Sequence, residues 1–258
     1  MIKNERHNEI LEILKKDSFA TVTSLSERLY ASMPTIRRDL TVLEDEGYVK
    51  RCHGGAMILD ENTKPPVYFR REHNLHEKVD MCRVAATLIS ESDTVFIDAS
   101  TSVFHIIDFI EKSSKTTVIT NGLPLATALA DTDIRVYSTG GRLLKESLAF
   151  VGASAEDAVS TYNTDAVVFS VASLSLDGML SDWSEDEATL RRAMARSVKR
   201  KILLCDSSKI GTASTFKLFD LSGVDFLVTD KEAPRELVEK FNLTVLVSTP
   251  AYLYKVGL

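Results

Sequence analysis

Cysteine is scarce in this sequence: Cys52, Cys82 and Cys205 stand far apart and form no CxxC pair. A disulfide framework is therefore excluded, and no zinc-ligand spacing is offered. There is no long apolar run, and the opening stretch MIKNERHNEILEILKKD is charged and amphipathic, so neither a signal peptide nor a membrane span is expected. The expected setting is soluble and cytoplasmic, with no membrane partner. Positive charge is not in excess either. The net charge of -6 argues against a protein that coats nucleic acid by bulk electrostatics. Residues 1–57 carry 9 Lys+Arg against 9 Asp+Glu, so the whole excess of acid lies in the remainder, with 22 against 28. No internal repeat or low-complexity segment is present. With 44% hydrophobic residues over 258 positions, the chain can bury one large α/β domain and a smaller second one.

The most organised stretch is residues 32 to 55, SMPTIRRDLTVLEDEGYVKRCHGG. Ser32 is placed to cap a helix, Pro34 is tolerated in a first turn that needs no donor, and Gly47 stops the helix. Ile36, Leu40 and Leu43 recur at helical spacing and face inward, which leaves Thr35, Arg37, Arg38 and Thr41 outward near the N-terminal end. Outward residues at that position of a helix-turn-helix reach base edges in a major groove. The following YVKRCHGGAMIL has two short apolar-polar runs about a Gly-Gly turn, the pattern of a hairpin wing, with Lys50, Arg51 and His53 along the phosphates. Upstream, Ile10, Ile13 and Leu14 mark a first helix, and Val22, Leu25 and Leu29 mark a second, capped by Thr21 or Thr23. Two adjacent arginines alone would suit a solvated helix face. The capped helix, inward apolar register, outward arginines, glycine stop and basic wing together favour DNA.

Residues 58–76 contain Pro65-Pro66 and show no helical period, which reads as an interdomain linker. His73 and His76 have a spacing compatible with chelation, but no third ligand accompanies them, so surface histidines are expected and no metal site. From residue 77 onward, apolar runs alternate with amphipathic segments, the signature of a parallel sheet with crossover helices. The strand candidates are 94–98, 117–120, 134–138, 166–171, 201–206, 225–229 and 243–247, with helices in the gaps. The division expected is a winged helix-turn-helix over 1–57, a linker over 58–76, and an effector-binding and oligomerisation domain over 77–258.

In such a sheet, ligands bind beyond the carboxyl ends of the strands. Those positions here hold Asp98-Ala99-Ser100-Thr101-Ser102, Asn121-Gly122, Gly140-Gly141-Arg142 and Asp206-Ser207-Ser208-Lys209. Each taken singly suits an ordinary cap or turn. Their convergence on one edge suits a phosphorylated sugar or polyol, which needs anion donors and carboxylates together. Lys78 and the pair Glu187 and Arg191 are further candidates, against solvation for the lysine and an ordinary surface ion pair for the other two. Trp183 could pack on a ligand, on a partner subunit or in the core.

On TIRRDLTVLEDEGYVKRCHGGA, TNGLPLA (120–126), GGRLLKESLAFVG (140–152) and DSSKIG (206–211), the chain resembles the DeoR family of bacterial sugar-metabolism regulators over nearly its full length. The resemblance implies a transcriptional regulator, most often a repressor, with a mostly parallel α/β sensor domain similar to the ribose-5-phosphate isomerase and CoA-transferase fold. It implies operator DNA, a phosphorylated sugar or related metabolite and a homo-oligomer, dimer or tetramer, as partners, and no cofactor. By motif position it assigns effector contacts to Lys78, Asp98, Ser100, Thr101, Asn121, Gly140, Gly141, Glu187, Arg191 and Lys209, and the DNA-binding set is Ser32, Thr35, Arg37, Arg38, Thr41, Lys50, Arg51 and His53. The sequence departs from the family at Ala99, where glycine is usual, and at Ser170-Val171-Ala172-Ser173, where a Gly-Ala-x-Gly stretch is usual. The related isomerases place a catalytic carboxylate in that stretch, and this chain has none there. The competing class is a sugar-phosphate isomerase or transferase with a DNA-binding appendage, relying on Asp98, Glu187 or Asp206 as acid or base.

If Arg38 reads a base, Arg38→Ala weakens specific DNA binding by about 1 to 3 kcal/mol. Undiminished, sequence-selective binding by the variant in an anisotropy titration removes Arg38 from the reading set.

Overall fold

The computed structural model describes residues 3–46, 48–52, 54–58, 67–90, 93–110, 115–196, 198–248 and 253–256. The chain divides into two compact units, Met1–Glu72 and His73–Leu258. Gly47 and His53, the expected helix stop and one expected wing contact, lie outside the described residues.

The first unit contains α1 (Lys3–Asp17), β1 (Phe19–Thr21), α2 (Val22–Arg28), α3 (Met33–Asp45), β2 (Val49–Cys52), β3 (Gly55–Ile58) and α4 (Val67–Glu72). Its core joins Ile10 and Leu14 of α1 to Leu25, Leu29, Ile36, Leu40 and Leu43. Thr21 is the cap of α2, accepting from the Ser24 N–H at 3.0 Å. Strand β1 went unread in the sequence because three residues are too short to show a period; it completes a three-stranded sheet in the order β1-β3-β2. Gly55 is required where the strands cross, since a Cβ there would lie 2.2 Å from the Ala20 carbonyl oxygen. The expected linker also holds regular structure: Val67–Glu72 is helical, and the next helix begins at Leu75. Those helices escaped a periodicity reading because each contributes only a turn or two to the stretch.

One residue of α3 faces inward without being apolar. Asp39 is buried and receives Arg6 Nε at 2.5 Å and Arg6 Nη2 at 3.0 Å, with His7 Nε2 at 3.1 Å, all from α1. Burial opposes its ionisation, but the hydrogen bonds from Arg6 and His7 and the charge of Arg6 outweigh that and hold the carboxyl below the usual range. The ion pair therefore fixes α3 against α1.

The second unit runs α5 (Leu75–Ala86), β4 (Thr94–Ile97), β5 (Thr117–Thr120), α6 (Leu123–Leu129), β6 (Arg135–Ser138), β7 (Arg142–Leu144), β8 (Ala149–Val151), α7 (Ala153–Ser160) and β9 (Thr164–Ser170). It continues through β10 (Ser173–Leu174), β11 (Met179–Asp182), α8 (Glu185–Arg196), β12 (Val198–Leu204), β13 (Phe216–Asp220), β14 (Phe226–Thr229), α9 (Arg235–Phe241), β15 (Thr244–Ser248) and β16 (Leu253–Val256). The main sheet has the order β16-β15-β14-β12-β9-β4-β5-β6, with every neighbouring pair parallel except β15 and β16. Both faces are covered: Phe96, Val167, Phe169 and Leu203 enter one core, and Val95, Ile97, Ala166, Val168 and Leu204 the other. Burial on two sides is why these strands read as unbroken apolar runs. Helices do not fill every gap, however. A β7-β8 hairpin and a small sheet of β10-β11-β13 occupy two of them, and β16 adds an antiparallel edge. Among the described residues no helix is long and apolar enough to cross a membrane.

Asp39→Ala removes the buried carboxylate that the part-buried Arg6 and His7 hold and should destabilise the first unit by about 1 to 3 kcal/mol. Because the folded carboxyl titrates below its unfolded value, its contribution is present above the unfolded pKa and lost as pH falls through the folded one. Thermal melts from pH 7 downward should thus converge for Asp39→Asn and the unaltered chain. A constant gap between the two curves would show that the pair contributes nothing through charge.

Candidate functional site

In the first unit, Ser32 caps α3, its Oγ accepting from the Thr35 N–H at 3.4 Å and lying 2.9 Å from Thr35 Oγ1. Arg37, Arg38 and Lys50 are exposed, and no ion pair engages them among the described residues. Thr41 and Arg51 are less free. The Thr41 hydroxyl donates to the Arg37 carbonyl at 2.9 Å and accepts from Arg51 Nη1 at 2.7 Å, while Glu44 Oε1 accepts from the Arg51 N–H at 2.8 Å. Arg51 thereby ties the wing strand β2 to α3. Its side chain is placed as a brace between the two elements.

In the second unit, β4 and β9 are neighbours from which the chain proceeds in opposite directions across the sheet, and the crevice at such a switch point is where an open α/β sheet binds ligands. Asp98 leaves β4 there. Its carboxylate accepts from Arg191 Nε of α8 at 2.5 Å and from the Ser100 N–H at 3.1 Å. Arg191 Nη1 also donates to Asp182, at the end of β11, and Nη2 lies 3.8 Å from Glu187 one turn earlier on α8. All four side chains are at most 8% exposed. Burial works against the guanidinium charge, but Asp182, Asp98 and Glu187 together raise its pKa. Glu187 and Arg191 are therefore no surface pair, as spacing alone had allowed. One cation here holds three carboxylates.

A second cluster spans the carboxyl ends of β12, β9 and β4. Lys209 Nζ donates to Ser102 Oγ at 2.8 Å and to Ser170 Oγ at 3.0 Å, and pairs with Asp206 Oδ2 at 3.2 Å. Asp206 Oδ1 accepts from Asn74 Nδ2 at 3.2 Å and from the Ser208 hydroxyl. Its burial opposes ionisation, and Lys209, Ser208 and the charge of Lys78 reverse that, so its pKa is lowered. Lys78 is buried rather than solvated, with Nζ 3.4 Å from Thr101 Oγ1. The Ser100 hydroxyl, next in sequence to Thr101, is buried and has no hydrogen-bond partner among the described residues.

The remaining expected contacts are structural to different degrees. Asn121 spans two loops, its Oδ1 accepting from the Ala99 N–H at 3.0 Å and its Nδ2 donating to the Phe150 carbonyl at 3.1 Å. Gly141, at φ 108, approaches the Val151 carbonyl so closely that a Cβ would lie 2.7 Å from it. Gly140, by contrast, faces open space. Trp183 is half-buried, and its backbone N–H donates to Asp182 Oδ1 at 2.9 Å. Asn74, Ser170 and Asp182 join these clusters and were not among the expected contacts, while Ser102 was expected only as part of the strand-end stretch 98–102. Asp182 lies on a strand of the small sheet whose existence the sequence did not announce. Ser170 was visible only as a departure from glycine. Burial pushes the Cys205 thiol, next to Asp206, up to about 12, so it offers no ready thiolate.

Comparison with known proteins agrees with this two-part architecture. The family profile described as the DeoR-like helix-turn-helix domain matches residues 6–62, and that described as the DeoR C terminal sensor domain matches residues 73–231. The chain is 33% identical to the HTH-type transcriptional repressor GlcR of Bacillus subtilis, over 96% of this chain and 97% of that one. It is 32% identical to the HTH-type transcriptional regulator GlpR of Haloferax volcanii, over 95% and 98%. It is 28% identical to the glycerol-3-phosphate regulon repressor of Escherichia coli K12, over 93% and 95%. Among solved structures, ribose 5-phosphate isomerase A of Methanocaldococcus jannaschii aligns with a TM-score of 0.43 at 10% identity, over 72% of this chain and 100% of that one.

Arg191→Met removes the cation that Asp98, Asp182 and Glu187 share, and should destabilise the second unit by about 3 to 5 kcal/mol at neutral pH. Without the guanidinium the carboxylates repel one another, and protonating one relieves that repulsion, so the variant should gain stability relative to the unaltered chain as pH falls from 7.5 toward 5.5. Melting curves that fall in parallel for both proteins over that range would contradict the assignment of Arg191 as their common counter-ion.

Proposed function

The chain belongs to the DeoR family of transcriptional regulators, and from that premise we propose that it represses a carbohydrate-utilisation operon and leaves its operator when a phosphorylated sugar or polyol binds at the strand-end site. The observation that carries this reading is the grouping of Lys78, Lys209, the buried Ser100 hydroxyl and Asp98 on one edge of the sheet, around its switch point. Cations and hydroxyl donors suit a phosphate, and carboxylates suit the hydroxyls of a sugar or polyol. The name of the Escherichia coli relative, a glycerol-3-phosphate regulon repressor, points to the same ligand class.

On the DNA side, Thr35, Arg37 and Arg38 would meet base edges, with Lys50 and His53 on phosphate and Arg51 holding the wing in register. Since residues 1–57 carry no net charge, one copy should bind weakly at physiological salt. A dimer or tetramer presenting two reading helices would supply the rest. The effector acts by favouring one arrangement of those helices, and can do so only through its different affinity for the two states.

An isomerase or transferase would need a carboxylate available as a base. Asp98 and Glu187 are instead held by Arg191, and Asp206 by Lys209, Asn74 and Ser208, with its pKa lowered. Those pairings favour a binder over a catalyst.

A thermal-shift screen across phosphorylated sugars and polyols, followed by anisotropy with operator DNA, tests the reading. A ligand at a hundredfold excess over its Kd should stabilise the protein by about 2.7 kcal/mol and release the DNA. If no phosphorylated compound shifts the melt, the ligand class is wrong; turnover of an aldose or ketose phosphate would sink the non-enzyme reading.

A further inference from the structure

Lys209 combines partial exposure with inward contacts. Its side chain is 20% exposed at the strand-end site, while Ser102 and Ser170 are each 1% exposed. An ammonium has three protons to donate. Here two go to buried hydroxyls, Ser102 Oγ at 2.8 Å and Ser170 Oγ at 3.0 Å, and the charge pairs with Asp206 Oδ2 at 3.2 Å. All three partners are buried, so the ammonium is drawn into the protein. An anion that uses more than one of its N–H groups must therefore take a donor from a serine.

Asp206 is committed to other partners as well, since Asn74 and Ser208 bond its second oxygen. Ser102 gives the shortest of the three contacts. Ser170 stands apart because it is the last residue of β9, the strand between β12 and β4, and its hydroxyl has no other partner among the described residues. A residue without a side-chain acceptor at that position would leave one N–H of Lys209 free to turn outward.

We infer that Ser170 is a latch on Lys209 that weakens the grip of the site on small anions, so that a phosphate group must bring further contacts from the rest of its molecule to be bound. The inference rests on the reading of Lys209 as a phosphate-binding group. Orthophosphate, which carries no alcohol hydroxyls for the carboxylates to accept from, is the ligand the latch disfavours most. A phosphorylated polyol displaces the Ser170 contact and adds hydroxyl donors for the carboxylates. The latch thus sets a threshold for response and a preference for esters over free phosphate.

The test uses the full chain with orthophosphate and glycerol 3-phosphate as probes, titrated calorimetrically. Ser170→Ala should bind orthophosphate about fivefold tighter than the unaltered chain, the scale of one hydrogen bond made available. The gain for glycerol 3-phosphate should be smaller, and adding Lys209→Met should abolish both. Ser102→Ala, which removes an acceptor from a different strand, should reproduce the orthophosphate gain and guards against a folding defect peculiar to one variant. Equal binding by the serine variants and the unaltered chain overturns the latch and leaves the phosphate reading intact. Weaker binding by Ser170→Ala makes Ser170 a direct ligand contact and likewise overturns it. If neither probe binds to any of the proteins, the phosphate reading fails and the latch with it.

Discussion

The second unit depends on one guanidinium. Arg191 lies under the carboxyl ends of the strands with Asp98, Asp182 and Glu187 around it, all four nearly excluded from solvent. Three carboxylates could not share that volume without a cation, and the cation could not be buried without them. The cluster joins the main sheet through Asp98, the small sheet through Asp182 and α8 through Glu187. It therefore fixes the wall of the crevice before any ligand arrives. Such pre-organisation suits a sensor whose response depends on the differential affinity of two states.

The first unit uses the same device on a smaller scale. Asp39 sits on the inward face of the reading helix among Ile36, Leu40 and Leu43, and Arg6 and His7 of α1 hold it there. Apolar packing sets how deep the helix lies, while the two-pronged Arg6 contact also sets its rotation, because that geometry is directional. Rotation decides which side chains face outward. Arg37 and Arg38 owe their exposure in part to their neighbour Asp39 facing the other way. Arg51 completes the arrangement by bracing the wing against Thr41 and Glu44.

These clusters divide the charged residues into two kinds. Arg6, Arg51 and Arg191 hold the protein's own carboxylates and hydroxyls. Arg37, Arg38, Lys50 and, at the strand ends, Lys209 remain reachable from outside. Lys209 is partly exposed and also engaged by buried groups, which places it between structure and recognition.

The sequence by itself determined the elements whose signal is local. The Ser32 cap, the apolar register of α3, the seven parallel strands and the polar residues that follow them can all be read from spacing, because period and capping involve residues within a turn or two of each other. Elements too short to show a period, such as β1, β10 and Val67–Glu72, could not be read that way. Only the tertiary structure decided what the charged residues do. Asp98 meets Arg191 across 93 positions, Ser102 meets Lys209 across 107, and Arg6 meets Asp39 across 33. Nothing local distinguishes those side chains from solvated ones. Burial and partner geometry, which the folded sheet and helices impose together, turned an apparent surface pair into a buried counter-ion and a strand-end lysine into a donor already engaged.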